Sequence, residues 1–95
     1  MARSTHHSSY QTLLALIRDL RERAGVTQLA LAESLGNTQT FISKIERGER
    51  RIDVVELIEI CEALGVDPVA ALREYVQRRS VLGSKGSKLT RRMRN

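Results

Sequence analysis

The chain has 95 residues, a formal net charge of +5 and 41% hydrophobic residues. This length suits one small domain, and the hydrophobic content excludes a disordered polyelectrolyte. A single cysteine excludes a disulfide framework and favours the reducing cytoplasm as the location. No apolar run approaches the roughly 20 residues that cross a bilayer, so the sequence predicts no membrane partner.

Apolar residues recur at three- and four-residue spacing along most of the chain, which predicts helices and leaves no strand signal. The first predicted helix begins at Tyr10 and ends at Gly25. Its predicted buried face consists of Leu13, Leu16, Ile17, Leu20 and Ala24. The next two helices, at about residues 28–35 and 39–47, are joined by a very short connection, which is typical of a helix-turn-helix.

Capping residues and apolar stripes predict where the remaining helices begin. Side-chain oxygens that can cap helices 2 to 5 belong to Thr27, Thr38, Asp53 and Asp67, with Glu56 completing a capping box. The predicted stripe of the fourth helix is Leu57, Ile60, Cys61 and Leu64. The fifth helix begins at Pro68. Its stripe is predicted to continue through Val69, Leu72 and Val76, with Tyr75 beside it.

These elements predict one all-α domain of five helices at residues 10–79, between a flexible N-terminal arm at 1–9 and a basic, flexible tail at 80–95. No Ser-His-Asp, P-loop or metal-ligand spacing is present, so we expect neither an enzyme nor a cofactor. His6 and His7 have no other ligand near them in sequence, so we expect no metal site.

The most informative stretch is TQLALAESLGNTQTFISKIERGERR, residues 27–51. It resembles the helix-turn-helix of the Cro/repressor-type (XRE-like) family of bacterial and phage transcriptional regulators. The resemblance rests on Thr27-Gln28, Leu31-Ala32, Leu35-Gly36 and the run ISKIERG that ends at Gly48, and it extends over residues 13–67. It implies a five-helix, lambda-repressor-like domain in which helices 2 and 3 form the helix-turn-helix, with double-stranded DNA as the partner.

The third helix begins with short polar side chains, at the end that a helix-turn-helix presents to the major groove. Glutamine pairs with adenine N6 and N7, and a threonine methyl contacts a thymine methyl. The candidate base-reading residues are Thr38, Gln39, Thr40, Phe41 and Lys44. The resemblance gives base-reading positions to Gln39, Thr40 and Lys44, whereas Phe41 either contacts a thymine methyl or packs on Ile45.

The candidate phosphate-binding residues are Gln28, Ser43, Arg47, Arg50 and Arg51. Contacts of this kind set register and affinity and carry no sequence information. The resemblance implies that Gln28 contacts a phosphate and supports the first polar residue of the recognition helix. It also gives Arg21 and Glu46 the positions of a structural ion pair between the first and third helices.

Together these features predict a sequence-specific DNA-binding transcriptional regulator of repressor type. A single helix-turn-helix reads few base pairs, so we expect a homodimer on a two-fold operator with helix 3 in the major groove. The candidate dimer contacts are Val69, Leu72, Tyr75 and Val76. Two alternatives stay open: an antitoxin or restriction-modification controller with the same DNA-binding fold, the antitoxin also holding a protein partner, and a protein-interaction module that does not bind DNA.

Overall fold

The computed structural model describes residues 8–82, and within them the chain forms five α-helices and no strand. The helices are α1 (Ser8–Arg23), α2 (Gln28–Ser34), α3 (Gln39–Glu46), α4 (Val54–Ala63) and α5 (Pro68–Leu82). The predicted all-α fold is therefore confirmed. The predicted arm and tail lie outside the described residues, apart from Ser8, Ser9 and residues 80–82, which are helical.

Local hydrogen bonds explain where the helices begin. The Thr27 and Thr38 hydroxyls each accept a bond from the backbone amide three residues on, at 3.0 and 3.2 Å. At the start of α4 the Glu56 amide donates to the Asp53 carboxylate at 2.8 Å, and the Asp53 amide donates to the Glu56 carboxylate at 3.1 Å. These predicted caps satisfy amides that have no partner inside their helices.

The turn between α2 and α3 depends on Gly36. Its φ of 67° lies in the left-handed region, which a residue with a side chain rarely adopts. The Asn37 amide then donates to the Ala32 carbonyl at 2.9 Å, which closes the end of α2. This tight turn packs α3 directly against α2 and so fixes the orientation of α3 relative to the rest of the domain.

One hydrophobic core holds the helices together. α1 packs against α3 and α5, while α4 packs against α5 and α2. The buried residues of this core are Leu16, Leu20, Leu31, Ala32, Ile42, Ile45, Ile60, Cys61, Leu64 and Ala71. Burial raises the pKa of the Cys61 thiol, which therefore behaves as a small hydrophobic side chain.

The predicted buried face of α1 needs correction. Leu13 is half-buried and Ala24 is exposed, whereas Tyr10 and Leu14 are buried. α1 packs against α3 and α5 at once, so its buried surface is wider than the single stripe that periodicity suggested.

The prediction that the apolar stripe of α5 continues the buried stripe of α4 is wrong. Val69, Leu72 and Val76 are 62%, 49% and 49% exposed, and the core-facing residue is Ala71. A small side chain at this position lets α5 pack against α1 and α4, while the larger apolar side chains face outward. α5 therefore carries an exposed apolar stripe, defined by Val69, Leu72 and Val76.

Candidate nucleic-acid interface

α3 has one buried face and one polar face. Ile42 and Ile45 are buried in the core. The other side carries exposed Gln39, Thr40 and Lys44, which we call the polar face of α3. Three of the five predicted base-reading side chains are thus exposed together on one helix.

The other two base-reading candidates have structural contacts. The Thr38 hydroxyl caps α3, although the residue itself is exposed. Phe41 is half-buried against the hydrophobic core, and the Arg50 guanidinium lies 4.7 Å from the centre of its ring. Of the two roles considered for Phe41, packing is the one that its burial supports.

A buried ion pair joins α1 to the last turn of α3. Arg21 donates through Nε and Nη2 to the two carboxylate oxygens of Glu46, at 2.7 and 3.0 Å, and their side chains are only 11% and 6% exposed. Arg21 also donates to the Val26 carbonyl at 2.9 Å. The hydrogen bond to Glu46 raises the pKa of Arg21, so the guanidinium stays charged. The pair fixes the position of the Glu46 carboxylate.

Two glutamines extend from this carboxylate to the polar face of α3. Gln28 Nε2 donates to Glu46 Oε1 at 2.9 Å, and Gln39 Nε2 donates to Gln28 Oε1 at 3.3 Å. Because both carboxylate oxygens of Glu46 accept hydrogen bonds from Arg21, the Gln28 amide turns its nitrogen toward Glu46 and its oxygen toward Gln39. Gln39 keeps its own oxygen and one N–H for another partner. We call this series of contacts the polar chain: Arg21, Glu46, Gln28 and Gln39.

The full polar chain is not predictable from the sequence. The resemblance suggested the Arg21–Glu46 pair and the support of Gln39 by Gln28 as separate features. The link between them is the Gln28–Glu46 hydrogen bond, which joins residues 18 positions apart in sequence. No local pattern indicates such a contact, because it depends on the packing of α2 against α3.

The predicted phosphate-binding arginines all have partners within the chain. Arg47 contacts the Ser43 hydroxyl and forms two hydrogen bonds with Glu49, both at 3.0 Å. Arg50 donates to the two oxygens of Glu56, at 2.9 and 2.8 Å. The remaining arginine stacks on a ring of α1: Arg51 lies 4.6 Å from the centre of the Tyr10 ring.

Tyr10 holds the loop after α3 against the start of α1. Its hydroxyl oxygen accepts a hydrogen bond from the Ile52 amide at 3.1 Å, and its ring contacts Arg51. From the sequence, Tyr10 was predicted only to begin the first helix. The one available signal was an aromatic residue at the first position of the predicted helix.

The predicted dimer contacts divide into two groups. Val69, Leu72 and Val76 form the exposed apolar stripe of α5. Tyr75 is half-buried, and its hydroxyl donates to the Ser9 carbonyl at 3.0 Å, which ties α5 to α1. Tyr75 therefore has an intramolecular role in this structure.

No group of three or more His, Cys, Asp and Glu side chains within residues 8–82 is arranged to hold a metal ion. His6 and His7 lie outside this range. None of the five described helices is both long and apolar enough to cross a membrane.

A helix-turn-helix family model matches residues 17–70, more than half of the chain, and this range includes the whole polar chain. The chain belongs to the XRE-like helix-turn-helix family of transcriptional regulators. Membership confirms the resemblance inferred from the sequence and indicates DNA binding as the activity of the family.

Three relatives resemble this chain over half or more of its length. An uncharacterized HTH-type transcriptional regulator, y4dJ of Sinorhizobium fredii, is 40% identical over 50 residues, which cover 53% of this chain and 65% of that protein. The structure of an XRE-family like protein from Pseudomonas syringae pv. tomato has a TM-score of 0.73 and 42% identity, covering 81% of this chain and 94% of that one. The clp gene regulator ClgR from Corynebacterium glutamicum has a TM-score of 0.68 and 28% identity, covering 85% of each chain.

Proposed function

We propose that the chain binds a two-fold DNA operator as a homodimer, with α3 in the major groove, and so regulates transcription. Family membership supports DNA as the partner. The observation that carries the finer proposal is the polar chain, which ends at the exposed amide of Gln39. An amide whose orientation is set before binding loses little entropy when it pairs with a base.

Gln39 is the principal base-reading residue in this proposal. Its free oxygen and N–H match the N6 donor and N7 acceptor of adenine in the major groove. Thr40 follows it on the same exposed face and offers a methyl group to a thymine. Lys44 lies one turn further along α3 and contacts a guanine or a phosphate.

The remaining polar residues around α3 act on the DNA backbone. Ser43, Arg47, Arg50 and Arg51 contact phosphates at the edge of the recognition helix, and Gln28 does so at the start of α2. Contacts of this kind add affinity that falls with salt concentration. Thr38 and Phe41 mainly hold α3 in position, through its cap and its core contact respectively.

Dimerisation is proposed through the exposed apolar stripe of α5. One helix-turn-helix contacts too few base pairs to select a site, and a second copy supplies the other half-site about one DNA turn away. Exposed valine and leucine side chains gain free energy when a second copy buries them. Only the ring of Tyr75 is available to the dimer interface, because its hydroxyl already donates to the Ser9 carbonyl.

Selection of bound duplexes from a random pool tests the whole proposal. We expect the selected duplexes to share a palindromic sequence. Sedimentation of the protein–DNA complex should give a mass that corresponds to two chains on each duplex. Absence of salt-dependent duplex binding would instead favour a protein-interaction module. A co-purifying protein that stays bound together with DNA would favour an antitoxin.

Replacement of Gln39 tests its role directly. Gln39→Ala should remove the preference at one base pair of each half-site, which costs about 1–3 kcal/mol there. Gln77→Ala is the matched control, since Gln77 is exposed on α5. An equal loss of affinity on operator and random duplexes would contradict base reading by Gln39.

A further inference from the structure

Glu49 is an acidic residue within a basic edge of the candidate interface. The segment from Lys44 to Arg51 contains Lys44, Arg47, Arg50 and Arg51, and every one of these is a candidate DNA contact. A carboxylate in this position opposes the approach of phosphates. No role follows for it from the helix-turn-helix pattern itself.

Backbone hydrogen bonds at the end of α3 fix the position of Glu49. Its amide donates to the Lys44 carbonyl at 2.8 Å, and the Gly48 amide donates to the Ile45 carbonyl at 3.0 Å. Gly48 has a φ of 77°, so the chain reverses directly after α3 and returns Glu49 beside the last turn of the helix. Its placement is therefore set by the end of α3.

The Glu49 carboxylate accepts hydrogen bonds from the guanidinium of Arg47. Two hydrogen bonds of 3.0 Å join both oxygens of Glu49 to Nε and Nη2 of Arg47. These are the donors that a guanidinium uses for bidentate recognition of phosphate. Arg47, with Lys44 as a lesser influence, lowers the pKa of Glu49, so the carboxylate is ionised at neutral pH.

Arg50 is held differently. Its guanidinium bonds to Glu56, which also belongs to the capping box of α4, and to the Arg51 carbonyl at 2.9 Å, and it stacks on Phe41. Release of Arg50 would disturb several contacts at once. Arg47 and Glu49 are 54% and 53% exposed at their side chains, so their pair separates at low cost.

We propose that Glu49 competes with DNA phosphate for the guanidinium of Arg47 and so restrains the affinity of this chain for duplex DNA. The inference rests on the proposed DNA binding. In the free protein Arg47 is bonded to Glu49, and on DNA it exchanges that carboxylate for a phosphate. Every duplex that recruits Arg47 must break this pair, whatever its sequence.

The test is a set of binding titrations with a random-sequence duplex across a range of salt concentrations. Glu49→Gln should bind about two- to five-fold more tightly than the natural sequence at low salt, the range expected for loss of an exposed pair. This gain should shrink as salt rises, because both interactions are screened. The melting temperature should fall by at most about 4–8 °C, because an exposed pair adds little to the stability of the free protein.

Two further variants separate competition from a general charge effect. Glu62→Gln removes the same charge from an exposed residue of α4 that forms none of the ion pairs within residues 8–82, and it should produce a smaller gain. In an Arg47→Gln background, Glu49→Gln should give no more gain than Glu62→Gln. A gain that persists in full without Arg47, or that equals the Glu62→Gln gain in the natural background, overturns the proposal. Failure of the natural sequence to bind any duplex would instead refute the proposed function.

Discussion

α3 and α5 each turn one long side to solvent, but the two sides have opposite character. The polar face of α3 carries Gln39, Thr40 and Lys44, whereas the exposed stripe of α5 carries Val69, Leu72 and Val76. A groove lined with hydrogen-bonding base edges matches the first, and another protein surface matches the second. Under the proposed function, recognition of DNA and assembly of the dimer are placed on different helices of one small domain.

The part of the chain that contains α3 also differs in charge from the part that contains α5. Residues 18–51 contain seven basic and five acidic side chains, while residues 52–79 contain three basic and six acidic ones. Of the basic excess in the whole chain, most belongs to residues 80–95, which carry Lys85, Lys88, Arg91, Arg92 and Arg94. The net charge of +5 therefore says little about the interface. The arrangement of a few polar side chains on α3 says more.

The largest expected effect comes from breaking the polar chain at its buried end. Arg21→Met leaves the Glu46 carboxylate buried without its partner, which should lower the free energy of unfolding by about 3–5 kcal/mol. Chemical denaturation followed by circular dichroism measures this change. The α5 stripe is untouched by the substitution.

A double variant separates stability from recognition. Replacing both partners, Arg21→Met with Glu46→Met, removes the uncompensated charge and should recover most of the lost stability. Without Glu46, however, nothing fixes which way the Gln28 amide turns, so operator selectivity should stay impaired while dimerisation persists. Full recovery of selectivity in the double variant would show that the polar chain does not orient Gln39.

Features with local causes were predictable from the sequence. Helix caps involve residues three positions apart, and the inward face of α3 follows from Ile42 and Ile45 at helical spacing. In α5, periodicity indicated an apolar stripe but not which side of the helix meets the core. That choice depends on the close contact that Ala71 allows. The Gln28–Glu46 bond and the loop contact of Tyr10 needed the tertiary structure, because their partners are 18 and 42 residues apart.

A smaller effect is expected on assembly through the apolar stripe of α5. Leu72→Arg places a charge in the α5 stripe and should weaken dimerisation by about 2 kcal/mol for each leucine that the dimer buries. Sedimentation equilibrium measures the dissociation constant, and binding to a single half-site should change little. Val55→Arg is the matched control, since Val55 is an exposed apolar residue of α4. A dimer lost with Val55→Arg and kept with Leu72→Arg would move the interface to α4.

The smallest expected effect on stability comes from two tyrosine hydroxyls, one joining α1 to α5 and the other joining α1 to the loop after α3. Tyr75→Phe removes the hydrogen bond to the Ser9 carbonyl in α1. Tyr10→Phe removes the hydrogen bond from the Ile52 amide in the loop after α3. Each should lower the free energy of unfolding by about 1 kcal/mol, because one partly buried hydrogen bond to a backbone group is lost. Thermal melts measure both. If the hydroxyl of Tyr75 serves only within the chain, Tyr75→Phe leaves the dimer dissociation constant unchanged. If Tyr75→Phe changes that constant and Tyr10→Phe does not, the result would support the sequence prediction that Tyr75 contacts the second copy.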